Sequence, residues 1–121
     1  MRQALLLVGH GSKSSQADDV LPYYVEALRS SGKFCDVQAC YLEREPSVEG
    51  ALDRIDADRI YVMPLLLAHG HHTRVTIPQS LGISGTQGVV NGKEVLYLEP
   101  LGRSEHIVAL ISDRINETQT D

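Results

Sequence analysis

The chain has 121 residues, 42% hydrophobic and 22% charged, with a formal net charge of -5 at pH 7. This describes one folded domain spanning residues 1–121, long enough for a core and too apolar to be disordered. The acidic balance argues against a nucleic-acid surface, which needs a basic face, and no apolar run is long enough for a membrane helix.

The first segment carries no signal-peptide cleavage pattern, so a cytoplasmic protein is expected. Residues 3–9 form a continuous apolar run, the pattern of a strand covered on both faces. A loop, Gly11-Ser12-Lys13-Ser14-Ser15, follows. A first helix is expected between Gln16 and Ser31, starting near residue 20 so that Pro22 falls in its first turn. Leu21, Tyr24, Val25 and Leu28 would be its inward stripe, and Ser31-Gly32 its end. A second strand runs from about Asp36 to Leu42 and ends in Glu43-Arg44-Glu45. Cys35 and Cys40 on that strand would lie roughly 16 Å apart on opposite faces, beyond disulfide reach. They are read as core or strand residues.

Pro46 opens an expected second helix, with Val48, Ala51, Leu52 and Ile55 as its buried stripe. A third strand covers about Arg59 to Leu65. A third helix is expected from about Thr73 to Leu81, with Gly82 as its stop and Pro78 as a possible break. Residues 82–93 are rich in glycine, and Asn91-Gly92 suits a tight turn. A fourth strand spans about Glu94 to Leu98. The last helix spans about Ser104 to Asn116, with Ser104 as N-cap and Ile107, Leu110, Ile111 and Ile115 turned inward.

Strands alternating with helices imply an α/β fold: a single-domain three-layer sandwich around a mainly parallel four-stranded sheet. With the order 2-1-3-4, the switch point lies between strands one and three. Ligands bind beyond the carboxyl ends of strands at such a point.

Those ends carry the chemistry. Strand one empties into His10, strand two into Glu43, strand three into His69, His71 and His72, and strand four into Glu99. Imidazole is the commonest transition-metal ligand and titrates near neutrality. A lone histidine at a strand end is more often a hydrogen-bonded loop residue, and Glu43 or Glu99 taken singly is more often a solvated carboxylate. Three histidines within four residues shift the balance towards function, with one expected to face the cleft and two to sit on its rim. No cysteine stands near for a closed zinc site, and no Walker or GxGxxG loop points to a nucleotide. Gly11 and Ser12 can offer donors to an anionic ligand. Lys13 and Arg74 flank the site as contacts for substrate carboxylates.

These residues resemble a family. Leu5-Leu6-Leu7-Val8-Gly9-His10-Gly11-Ser12, Tyr41-Leu42-Glu43 with Pro46-Ser47, Pro64-Leu65-Leu66-Leu67 with Gly70, His72 and Ile77-Pro78, and Pro100-Leu101-Gly102 are similar, in order, to the motifs of small class II tetrapyrrole chelatases of the CbiX type. The resemblance covers nearly the whole chain. It implies a chelatase-like half unit that inserts a divalent metal (Co2+, Fe2+ or Ni2+) into sirohydrochlorin without ATP, in cobalamin- or siroheme-type biosynthesis. It places the two active-site histidines on His10 and His72. It also implies a homodimer, since larger members look like two such units in one chain. His71 and Glu43 complete the candidate metal ligands; Gly11, Ser12, Lys13, Arg74 and His69 are the candidate substrate contacts. The chain departs from the family pattern at Thr76, where an acidic residue is usual, and in the extra His69 and His71.

Because coordination needs neutral imidazole, such an activity should fall as pH drops through the histidine range. Three other readings stand beside it. A non-catalytic histidine-rich metal-binding or metallochaperone module would use the same cluster. Phosphohistidine chemistry at His10 ranks below, because no arginine neighbours it in sequence. A structural interaction domain would leave four polar strand ends without a role.

Overall fold

The computed structural model describes residues 1–11 and 19–119. Five strands form one sheet: β1 (Gln3–Gly9), β2 (Asp36–Tyr41), β3 (Arg59–Pro64), β4 (Gln87–Val90) and β5 (Lys93–Tyr97), in the order β2-β1-β3-β5-β4. β1 pairs in parallel with both β2 and β3, and β3 pairs in parallel with β5. The expected order of four parallel strands is therefore present, with β5 as the fourth. The difference is β4, which pairs antiparallel with β5. Asn91 and Gly92 both take positive φ, 51° and 79°, the geometry of a two-residue hairpin turn. The glycine-rich stretch is thus an edge hairpin.

The continuous apolar run of β1 divides by parity. Ala4, Leu6 and Val8 enter one core with Ile55, Ile60, Val62, Ile77 and Val95. Leu5 and Leu7 enter a second core with Leu21, Val25, Val37 and Tyr41. A strand buried on both faces needs apolar side chains at every position, which is why β1 does not alternate.

Helix α1 (Leu21–Ser30) covers the second core, with Pro22 in its first turn as expected. Leu21 and Val25 are buried, whereas Tyr24 stays 43% exposed and does not join the stripe. The expected second helix is absent as such. Only a single 3-10 turn, Leu52–Arg54, forms there. Its apolar residues, Val48, Ala51, Leu52 and Ile55, are buried all the same. The backbone of 46–48 is instead committed to β2: Tyr41 N–H donates to Pro46 O, and Val48 N–H to Tyr41 O. Gly50, at φ +74°, then interrupts any helical path. Lys93 Nζ donates to Leu52 O and Ile55 O at 2.7 Å each, tying this turn to β5.

The third helix begins one residue earlier than expected, as a wide π turn, His72–Thr76, and continues as α2 (Ile77–Leu81). The wide turn puts Pro78 in the first turn of α2, where its missing N–H is tolerated. Gly82, left-handed at φ 82°, ends it.

Helix α3 (Glu105–Glu117) starts at the expected cap, Ser104, whose hydroxyl accepts from His106 N–H at 3.2 Å. Its inward stripe is a correction. No residue of α3 is buried; Leu110, Ile111 and Ile115 are 47%, 56% and 55% exposed, and only Ile107 is half-buried. The helix lacks extensive packing against any strand or helix. Met63 and Leu96, on the α1 side of β3 and β5, are left partly open. Among the described residues, no helix is long and apolar enough to cross a membrane.

Cys40 is buried, and burial pushes its thiol up to about 12. Cys35 lies one residue ahead of β2 and is exposed, so it is neither core nor strand. A disulfide reagent at pH 8 is expected to titrate one thiol promptly and the second only after denaturation. The folded Cys40 pKa lies above the unfolded one, ~8.5. Its contribution to stability is therefore present below that value and is lost as pH rises towards about 12.

Candidate functional site

Two glycines shape the exit from β1. A Cβ on Gly9 would lie 2.6 Å from Leu21 Cδ1, and one on Gly11, already at φ +74°, would lie 2.7 Å from Tyr41 Cβ. The backbone therefore passes tightly between α1 and the end of β2, with His10 between the two glycines. Leu42 N–H donates to Gly9 O and Glu43 N–H to His10 O, so the ends of β1 and β2 continue as one ladder. His10 Nε2 stands 3.3 Å from Glu43 Oε1, with both side chains about half exposed.

Strand β3 leaves the sheet beside β1, where Leu65 N–H donates to Val8 O. The chain then crosses residues 66–71 and enters the π turn at His72. The His72 ring faces that of His10, with centroids 5.9 Å apart and planes inclined by 47°. An imidazole nitrogen binds a divalent ion at ~2 Å, which puts the ring centre roughly 3 Å from the ion. Two rings sharing one ion are then at most roughly 6 Å apart, and the observed separation lies within that limit.

The remaining site residues expected from sequence do not all gather here. The His71 ring lies beside His72, centroids 6.5 Å apart. Glu43 reaches His10. Yet among the described residues no group of three His, Cys, Asp or Glu side chains is arranged as a metal cage. His69 turns away: its Nε2 is 2.5 Å from Glu99 Oε2 and its Nδ1 3.1 Å from Thr73 Oγ1. His69 and Arg74 line a separate cavity of about 260 Å3 with Thr73, Tyr97 and Glu99. Ser12 and Lys13 lie outside the described residues.

Gly11 and His10 open onto a larger cavity of about 490 Å3, walled by Tyr24, Leu65, Leu101 and Leu110 among others. Its volume and apolar walls are those of a small-molecule site. Its polar corner was not anticipated. Arg44 pairs with Asp19 and lies over the Tyr41 ring, 4.2 Å from the centroid. The Tyr41 hydroxyl also donates to Asp19. Burial, with the Asp19 hydrogen bond, holds that hydroxyl above the ordinary phenol range. In sequence Arg44 is one of three alternating charges at a strand exit, and nothing local separates it from a surface residue. On the other side of the His72 loop, Tyr97 Oη donates to Thr73 O at 2.7 Å, and burial pushes its hydroxyl up to about 12.

Comparisons with known proteins bear on the family and the fold. The CbiX family model matches residues 4–118. The chain is 32% identical over 136 residues to the sirohydrochlorin cobaltochelatase of Methanopyrus kandleri, covering 94% of this chain and 95% of the relative. It is 38% identical over 122 residues to that of Saccharolobus islandicus, covering 94% of each. Among solved structures, the sirohydrochlorin chelatase SirB from Bacillus subtilis subspecies spizizenii, in complex with cobalt, superposes with a TM-score of 0.78 at 25% identity. SirB from Bacillus subtilis with Fe3+ gives 0.81 at 25% identity. These matches take in 98% and 100% of this chain but only 51% and 49% of the SirB chains, so the chain spans about half of their length. With a family model matched over residues 4–118 and relatives 32% and 38% identical over nearly the whole of both chains, the chain belongs to the CbiX family.

Proposed function

We propose that this protein inserts a divalent metal, cobalt foremost and iron second, into sirohydrochlorin without nucleotide, as a step of cobalamin- or siroheme-type biosynthesis. The observation that carries the reading is the facing pair His10 and His72, 5.9 Å apart beyond the ends of β1 and β3. The names of the cobaltochelatase relatives and of the cobalt-bound SirB supply the substrate and metal class.

The ring lies in the cavity beside His10, against Tyr24, Leu65 and Leu101, with Arg44 at its edge, where a substrate carboxylate would compete with Asp19 for the guanidinium. His10 and His72 hold the incoming ion. Insertion expels two protons from the pyrrole nitrogens, and the two imidazoles, released as the ion passes to the ring, accept them. Glu43, 3.3 Å from His10 Nε2 and half exposed, passes a proton onward to solvent. His71 on the rim assists capture of the ion.

The test is metal insertion followed by the absorbance change of sirohydrochlorin with Co2+, Fe2+ and Ni2+ in turn. His10→Ala and His72→Ala are each expected to lose at least a hundredfold in turnover while keeping the wild-type melting temperature within a few degrees. Full activity in both variants would overturn the assignment. Metal binding by the wild type with no product in any arm would favour a metal-carrying module instead.

The working unit is a homodimer. Val108, Ile111 and Ile115 on α3 are 63%, 56% and 55% exposed, while Met63 and Leu96 on the sheet are left partly open. A second copy offers these surfaces the partner they lack, and the twofold length of SirB accords with two such units. A stable interface needs about 800 Å2 from each partner; α3, ~20 Å long, supplies part of it. Light scattering should give twice the chain mass for the wild type and the single mass for Ile111→Asp. A monomeric wild type at tens of micromolar would exclude the dimer.

A further inference from the structure

His69 and Glu99 are left over from the proposed chemistry, since they face away from the His10 cavity. They are nevertheless joined to it through one short path. Glu99 follows β5 and His69 follows β3, 30 residues apart in sequence, and the His69 Nε2–Glu99 Oε2 distance is 2.5 Å. The other ring nitrogen of His69 is 3.1 Å from Thr73 Oγ1. Thr73 is 1% exposed. Its hydroxyl accepts from Gly70 N–H at 2.8 Å, and its carbonyl accepts from Tyr97 Oη at 2.7 Å. Thr73 is the residue after His72, inside the π turn that aims the His72 ring at His10.

We infer that the His69–Glu99 pair is a positioning device for His72: it anchors the loop after β3 to the exit of β5 and, through Thr73, fixes the π turn from which His72 faces His10. An exposed ion pair by itself contributes little. Here the His69 side chain, 29% exposed, is bonded at both ring nitrogens, and the chain of bonds ends on a buried hydroxyl. Groups bonded directly to a metal-binding histidine typically govern affinity or activity by ~10–100-fold; here the bonds reach Thr73, next to His72, and the lower end of that range is expected. The pair itself touches neither ion nor ring. Its effect on turnover rests on the chelatase reading; its effect on His72 does not.

The experiment therefore reads both. Ring NMR signals of His10 and His72 are recorded on metal-free wild type, Glu99→Ala, Glu99→Gln and the double variant His69→Ala/Glu99→Ala, together with metal-insertion kinetics. Glu99 is 77% exposed, so Glu99→Ala should fold with a melting temperature near that of the wild type. The His72 ring signals should shift or broaden in Glu99→Ala, the KM for Co2+ should rise about tenfold, and the KM for sirohydrochlorin should stay unchanged. Glu99→Gln, which keeps an acceptor for His69 Nε2–H, should restore most of the loss. The double variant should be no worse than Glu99→Ala, as for two members of one path. Unchanged His72 signals in Glu99→Ala, or a loss in Glu99→Gln equal to that in Glu99→Ala, would overturn the inference. A wild type that makes no product would defeat the chelatase reading alone, and the ring signals would still decide this one.

Discussion

The parallel pairing of β1 with β3 is the constraint on which the site depends. It runs in register from Gln3 opposite Arg59 to Val8 opposite Pro64. β2 takes the other side of β1, so the order of strands reverses at this pair. At a reversal, successive connections leave in opposite directions and open a crevice above the strand ends. His10 leaves β1 directly into it. His72 arrives eight residues beyond β3, and a register slip of one residue would turn the apolar set of β3 to the wrong face. Because Ile60 and Val62 are completely buried, that slip is strongly opposed.

The two faces of the sheet are finished to different degrees. One core is closed by α2 and by the apolar residues around the Leu52–Arg54 turn, fastened to β5 through Lys93. The other is covered by α1 over β1 and β2, while α3 stands clear of burial. The larger cavity lies where these two helices approach, with Tyr24 on α1 and Leu110 on α3 among its walls. The exposed apolar surface of α3 therefore adjoins the proposed site, and anything that covers α3 would alter the same walls that meet a ligand.

Several features were legible because a local rule decided them. The double-sided burial of β1, the ends of α1 and α2, the Ser104 cap and the Asn91-Gly92 turn each follow from a few neighbouring residues. The second helix failed because Tyr41 of β2 recruits the backbone of Pro46 and Val48 and Gly50 then breaks the helical path, so the apolar residues beyond are buried without a helix to carry them. The stripe of α3 has helical spacing, but spacing shows which side of a helix is apolar and not whether anything within the same chain covers it. Arg44 was unreadable as a cavity residue because its ion-pair partner Asp19 lies 25 residues away along the chain.

Sequence by itself determined the class of fold, the succession of strands along the chain and the placing of imidazoles at strand ends, because apolar periodicity and strand-end residues are local properties; the assumed order 2-1-3-4 needed the pairings of the folded sheet. It also carried the ordered motifs that tie the chain to the CbiX family. Only the tertiary structure decided how the four histidines at that edge divide. His10 and His72 face one another, His71 stays at the rim, and His69 turns back onto Glu99. Their order along the chain cannot distinguish them, because side-chain direction after a strand is set by the turn that follows and by the groups across the loop that bond to it.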